Sequence, residues 1–337
     1  MKNLPFIHLR THSSYSLAES TLKISKIVQL AKKNNMPSVA ITDNNNLFGA
    51  LEFSIECINN GIQPIIGSTI NYLEISNIDT PSQVTFLVKN EEGYRNLLNL
   101  SSISHTKSET SLGITFEQIK ENSNGLICFI GGEFNPISFL KKQNKSTDIN
   151  KLIDDFKKIF SDDFYFEIQR INNPQIKDFE NYFLNLANQH NIPVISSNNV
   201  KFENKEDHFA HDTLLCIAQK ATINQENRTF SDSETYFKTS NEMIELFSDI
   251  PQVIENNFSL SLKCQFYPKE ISPKLPKFII DLKLTEEQLL TQNSKKGLQE
   301  RLKNFSLKVD EYYERLDYEV NIIIKMGFAG YFLIVAD

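Results

Sequence analysis

The feature that most constrains this chain is a unit repeated through its first two hundred residues. A short continuous apolar run is followed by a turn and then by an amphipathic stretch with helical spacing. The apolar runs fall at 6–9, 38–41, 64–66, 84–88, 126–130, 164–168 and 193–195. Between them, apolar residues recur three and four apart, as in Ile24, Ile27, Val28, Leu30 and Ala31, in the stretch 47–58, or in Phe179, Tyr182, Phe183, Leu186 and Ala187. That period is the helical one. Runs without polar alternation are buried on both faces, which predicts a parallel sheet covered by helices. About seven parallel strands suit a distorted βα barrel of the α/β class, with an open doubly wound sheet as the competing arrangement.

Polar residues collect where these runs end: His8, Arg10 and His12; Asp43, Asn44 and Asn45; Gly67, Ser68 and Thr69; Gly131, Gly132 and Glu133; Gln169 and Arg170; Ser197, Asn198 and Asn199. In a parallel barrel the C-terminal strand ends form one rim, and sites are built there. The plainer reading is that strand ends are polar because loops are.

Beyond about residue 205 the pattern becomes helical, with stretches at 206–218, 241–248 and 251–264. A connector carrying Pro268, Pro273 and Pro276 disfavours helix and central strand, so it reads as a boundary. Two longer helical stretches follow, 285–304 and 310–326, and then the apolar GFAGYFLIVAD. The expected division is a barrel domain over 1–270, then a linker and an incomplete second domain over 271–337. An apolar run at the chain end reads as an element whose packing partners lie further on.

Charge limits the function classes. The net charge is −7, and no dense Lys/Arg cluster appears, whereas a segment gripping DNA by itself carries a basic stripe. The four cysteines form no CxxC pair, and Cys57, Cys128 and Cys216 sit in apolar stretches as small buried hydrophobes. The absence of a signal peptide or an 18-residue apolar run predicts a cytoplasmic protein.

Several segments resemble one family, in its order and over nearly the whole chain. They are HLRTHSSYSL, TDNNNLFGALEF, IQPIIGSTI, EEGYRNLLNLSS, GLICFIGGE, the stretch from VISSNNVKF through HDTLLCI, and RLDYEVNIIIKMGFAGYFLIVAD. Together they are similar to the opening part of the bacterial DNA polymerase III alpha subunits. The resemblance implies a first domain of the polymerase-and-histidinol-phosphatase (PHP) type, a βα barrel whose rim can hold a metal cluster, followed by the entry to the polymerase palm.

Divalent metals need imidazoles and carboxylates converging from several strand ends. By the resemblance, the metal-site positions fall on Arg10, His12, Glu19, Asn44, Thr69, Gly132, Asn199 and Lys201. Only His12 and Glu19 keep a ligand type there, and Arg10 is a cation that cannot bind metal. No metal is therefore expected in this segment, and polar contacts among Arg10, Lys201, Glu19 and Asp43 are expected to fill the site. His208 and His211, followed by Asp212, share a helical face but lack a third ligand, and read as a packing and boundary motif.

The resemblance further implies that the intact protein extends primers by template-directed deoxynucleotide addition with Mg²⁺. Its catalytic aspartates would lie beyond Asp337, as would the regions meeting DNA, deoxynucleotides, the sliding clamp and clamp-loader components. The segment itself is expected to be non-catalytic and to hold the proofreading exonuclease subunit. The alternative is a metal-dependent PHP phosphoesterase or 3′–5′ exonuclease.

Overall fold

The computed structural model of the chain describes residues 4–77, 80–106, 112–172, 174–272, 276–278, 284–303 and 309–337. Pro273 of the connector and Asn304 at the end of a predicted helix lie outside them. The chain falls into two compact units, Met1–Lys269 and Glu270–Asp337.

In the first unit, six strands lie side by side in chain order among the described residues. They are β1 (Ser38–Ile41), β2 (Gln63–Asn77), β3 (Thr80–Val88), β4 (Leu126–Gly131), β5 (Phe164–Gln169) and β6 (Val194–Ser197). The pairs β1–β2, β4–β5 and β5–β6 are parallel, but β3 is antiparallel to both its neighbours. The expectation of about seven parallel strands is corrected here. The runs at 64–66 and 84–88 belong to two consecutive antiparallel strands, with Gly67 opposite Leu87 and Tyr72 opposite Ser82. Two residues between strands suffice for a hairpin, whereas a parallel pair needs a crossover of a dozen or more.

The first apolar run is not a strand either. It crosses from one end of the curled sheet to the other with too few bonds on each side for a ladder. Ala40 N donates to His8 O (2.9 Å) and Thr42 N to Thr11 O (2.8 Å), while on the other side Val200 N donates to Arg10 O (3.1 Å) and His12 N to Val200 O (2.9 Å). Asn257 seals the seam lower down. Its Oδ1 accepts from Ser196 N (3.0 Å), and its Nδ2 donates to Ser196 O (2.7 Å) and Ile7 O (3.1 Å).

Helices α1 (Ile24–Lys33), α2 (Ala50–Asn59), α3 (Glu91–Thr106), α4 (Phe116–Glu121), α5 (Pro136–Lys142), α6 (Ser146–Phe160) and α7 (Pro174–His190) connect or flank the strands. After β6 come α8 (His208–Gln219), α9 (Ser240–Leu246) and α10 (Gln252–Lys263). The predicted faces are the buried ones. In α1, Ile24, Ile27, Val28, Leu30 and Ala31 pack inward, and the helix stops where Asn35 takes a positive φ of 52°. In α6, Ile149, Leu152, Ile153, Phe156 and Phe160 do the same. Capping boxes start α4 at Thr115 and α9 at Thr239, satisfying amides that the first turn leaves free.

β1 and the run 126–130 of β4 lack polar alternation because their two faces bury two different cores. Val39 and Ile41, with Leu126, Cys128 and Ile130, join the outer core under the helices. The alternating Ala40, Ile127 and Phe129 join an inner core with Ile7, Leu9, Tyr165 and Ile195, which Leu260 and Cys264 complete. Phe156 has no exposed surface and meets Tyr72, Phe116, Phe160 and Phe164. Truncating such a ring costs about 3–5 kcal/mol. All four cysteines are free and buried.

The second unit contains α11 (Glu286–Leu302), α12 (Val309–Lys325) and α13 (Ala329–Ala336). Leu290, Ala329 and Leu333 form its small core, with Phe278, Leu289 and Ile323 packed against them. No single described helix is long and apolar enough to cross a membrane.

Candidate functional site: the barrel mouth

The eight positions singled out in the sequence reach the barrel mouth from separate segments, and the fold sorts most of them into small groups. Arg10 and Gly132 meet. Gly132 has a φ of +73°, and a Cβ there would lie 3.0 Å from Gln169 Nε2 and 3.1 Å from Arg10 Nη1. The absence of a side chain leaves room for the guanidinium. His12 and Asn199 meet through a 2.8 Å bond from the imidazole Nε2 to Asn199 Oδ1. Glu19 and Asn44 meet through the Asn44 amide, which donates to Glu19 Oε2. Thr69 joins the Asn44 segment through its backbone alone, its N–H on Asp43 O (3.1 Å) and its carbonyl accepting from Asn45 N (2.8 Å), while its hydroxyl bonds Thr85 on β3 at 3.0 Å.

Arg10 defines the electrostatics. Its Nη1 donates to Glu167 Oε2 at 2.7 Å, with side-chain exposures of 7% and 0%. The other Glu167 oxygen accepts from Gln169 Nε2 (3.0 Å) and from the Ser197 hydroxyl. A buried carboxylate is tolerated when a cation and hydrogen-bond donors saturate it, and here three neighbours do so.

This corrects the expected partnership of Arg10 with Glu19 and Asp43. Asp43 is instead held by Ser13 N (2.6 Å), Ser13 Oγ (2.7 Å) and Ser16 Oγ (2.7 Å). Burial raises its carboxyl above the usual aspartate range, and the hydrogen bonds from Ser16 and Ser13 oppose that rise. Lys201 is pinned by its backbone, with its N–H on Thr235 O (2.8 Å) and its carbonyl accepting from Thr21 N (3.0 Å) and Ser20 Oγ (2.8 Å). Its ammonium makes no ion pair among the described residues. Burial lowers its pKa, and the nearby Glu19 charge opposes that. Burial also holds the His12 imidazole well below its ordinary value, reinforced by the Arg10 and Lys201 charges.

These residues do not fit a divalent metal cluster. The Glu167 oxygens are taken by Arg10, Gln169 and Ser197, and those of Asp43 by Ser13 and Ser16. The Nε2 of His12 faces an amide oxygen, so it carries its proton there and offers no lone pair. Among the described residues, no group of three or more His, Cys, Asp or Glu is placed to hold a metal ion.

Sequence reasoning placed Gln169 and Ser197 at strand ends on the rim but missed Glu167, the carboxylate that both of them bond. The available signal was Glu167 itself, a lone carboxylate inside the apolar FYFEI run. It also missed how His208 and His211 are used. His208 Nε2 bonds Ser231 O (3.0 Å), and His211 bonds Ser231 Oγ (2.6 Å) and Glu19 O (2.8 Å). Asp212 pairs with Arg228 through two bonds of 2.8 and 2.7 Å.

Comparison with known proteins adds to this geometry. Residues 8–171 match the PHP domain family, and residues 288–337 match the family described as the bacterial DNA polymerase III alpha NTPase domain. The DNA polymerase III subunit alpha of Rickettsia bellii (strain RML369-C) is 39% identical across 98% of this chain and 29% of its own length. That of Caulobacter vibrioides (strain NA1000 / CB15N) is 36% identical across 98% of this chain and 30% of its own. The chain thus spans about three tenths of the length of these relatives. Among solved structures, an amidohydrolase from Chromobacterium violaceum aligns with a TM-score of 0.37 and 12% identity, covering 57% of this chain and 86% of its own. That likeness is too slight to argue from.

Proposed function

Because the chain belongs to the DNA polymerase III alpha family, we propose that it is the N-terminal portion of a replicative DNA polymerase, acting there as scaffold and not as a metal-dependent hydrolase. The observation that carries this reading is the ion pair of Arg10 with Glu167. A guanidinium stands in the barrel mouth, and its charge neutralises the buried Glu167 carboxylate.

In this reading the barrel domain ends near residue 270, and the remainder leads into the palm. Template-directed addition of deoxynucleotides, the aspartates that hold Mg²⁺, and the contacts with DNA, the sliding clamp and clamp-loader components belong to segments this chain does not contain. Two metal ions would activate the primer hydroxyl and stabilise the leaving pyrophosphate there. The partner proposed for the barrel is the proofreading exonuclease subunit, which would supply the hydrolysis that the mouth does not perform.

The test uses the purified 337-residue chain. Co-elution with the exonuclease subunit in gel filtration is expected, together with no primer extension and no Mn²⁺-dependent cleavage of a DNA 3′ end. Primer extension, or cleavage abolished by His12→Ala, would overturn the reading, and failure to co-elute would remove its scaffold part.

A further inference from the structure

A second constellation lies on the same cavity, built from groups that the scaffold reading does not use. The cavity measures about 1020 Å³ and is lined by Glu19, Lys201, His208, His211, Arg228 and Ser231 among others. The hydrogen bonds of His211 determine its tautomer. Its Nε2 faces Glu19 O at 2.8 Å. A carbonyl oxygen only accepts, so the ring proton resides on Nε2. With that proton on Nε2, the neutral ring presents Nδ1 as a bare acceptor. Ser231 Oγ, 2.6 Å from Nδ1, must therefore donate its proton to it.

The Ser231 backbone is held on both sides, its N–H on Asp212 Oδ1 (2.9 Å) and its carbonyl on His208 Nε2 (3.0 Å). Lys201, which lines the same cavity, makes no ion pair among the described residues. A serine donating to an oriented imidazole, on a cavity that also holds a cation without an ion-pair partner among the described residues, is a grouping suited to acyl transfer.

We propose that Ser231 is a nucleophile for small carboxylic esters, with His211 as its base and Lys201 stabilising the oxyanion. As Ser231 Oγ bonds the acyl carbon, its proton passes to His211 Nδ1. The ester C–O bond then breaks, and the leaving alcohol takes that proton. Water attacks the acyl-serine, His211 again relays the proton, and the carboxylic acid departs with Ser231 restored. No metal or redox partner is needed, and the proposal stands apart from the polymerase reading.

The experiment treats the folded 337-residue chain with a fluorophosphonate and maps the adduct by peptide mass spectrometry, alongside hydrolysis of p-nitrophenyl acetate. Labelling is expected at Ser231 in preference to the exposed Ser102. His211→Asn keeps a donor for Glu19 O but no base, and should slow labelling roughly 100-fold or more. Lys201→Met should lower kcat/KM for the ester about tenfold or more. Ser231→Ala should abolish hydrolysis. Absence of a Ser231 adduct on the wild-type chain overturns the proposal, whether or not the variants fold. So does labelling that His211→Asn leaves unchanged, which would reduce the contact to a loop fastening.

Discussion

Arg10 and Glu167 are 157 positions apart in the chain and 2.7 Å apart in the fold, joined by a buried ion pair. The pair ties the segment that closes the barrel to the end of β5. Neither charge has water to fall back on, so each depends on the other.

Removing one partner should therefore cost more than removing both. Glu167→Gln or Arg10→Met alone is expected to destabilise the first unit by roughly 3–5 kcal/mol, and an apolar replacement of both by considerably less. Urea unfolding of the two single variants and Arg10→Met/Glu167→Leu measures this. Additive losses would mean that the pair is not coupled. EDTA should leave the wild-type melting temperature unchanged.

Acid should destabilise the fold before carboxylates begin to titrate. His8 and His211 are both pushed down to about 4, chiefly by burial. Both rings are neutral in the fold, whereas in the unfolded chain they take up protons below about pH 6.5. The unfolded state then binds more protons between pH 6.5 and about 4, so stability falls as the pH drops through that window. The loss is on the order of 3 kcal/mol per histidine. Urea midpoints at pH 7 and pH 4.5 should differ accordingly, and His8→Gln should reduce the difference.

Two glycines should respond to alanine with opposite signs. A Cβ on Gly131 would lie 2.2 Å from Glu167 O on the adjacent strand, while one on Gly297 meets nothing within 4 Å. Gly131→Ala is expected to destabilise by about 1–3 kcal/mol through forced separation of β4 and β5. Gly297→Ala, inside α11, should stabilise that helix by roughly 0.8–1 kcal/mol. Thermal melts of both variants check the signs.

Arg170 fastens the end of β5 to α7 and to the segment following α9. Its guanidinium bonds Glu180 (2.5 Å), both Asp249 oxygens (2.5 and 2.7 Å) and Leu246 O (2.6 Å), and lies over the Phe247 ring. An ammonium cannot reproduce this planar fork. Arg170→Lys is expected to lose nearly as much as Arg170→Ala, roughly 2–3 kcal/mol by chemical denaturation. Full rescue by lysine would show that charge alone suffices.

The amino-acid sequence determined which segments are strands and helices wherever the signal is local. The face of α1 follows from the spacing of Ile24, Ile27, Val28 and Ala31, and the apolar continuity of 126–130 follows from the two cores on which Ile127 and Cys128 face opposite ways. The positions that bring Arg10, His12 and Asn44 to one rim were likewise legible, because they follow the ends of apolar runs, whereas Lys201 was reached through the family resemblance. Only the tertiary structure decided the direction of β3, the closing of the seam by Asn257, and the choice of Glu167 over Glu19 or Asp43 as partner of Arg10. The reason is register. Successive strand residues face opposite sides of the sheet, so a slip of one residue would carry the Glu167 carboxylate out of the mouth. That alignment depends on contacts between segments far apart in the chain, which no local run of residues encodes.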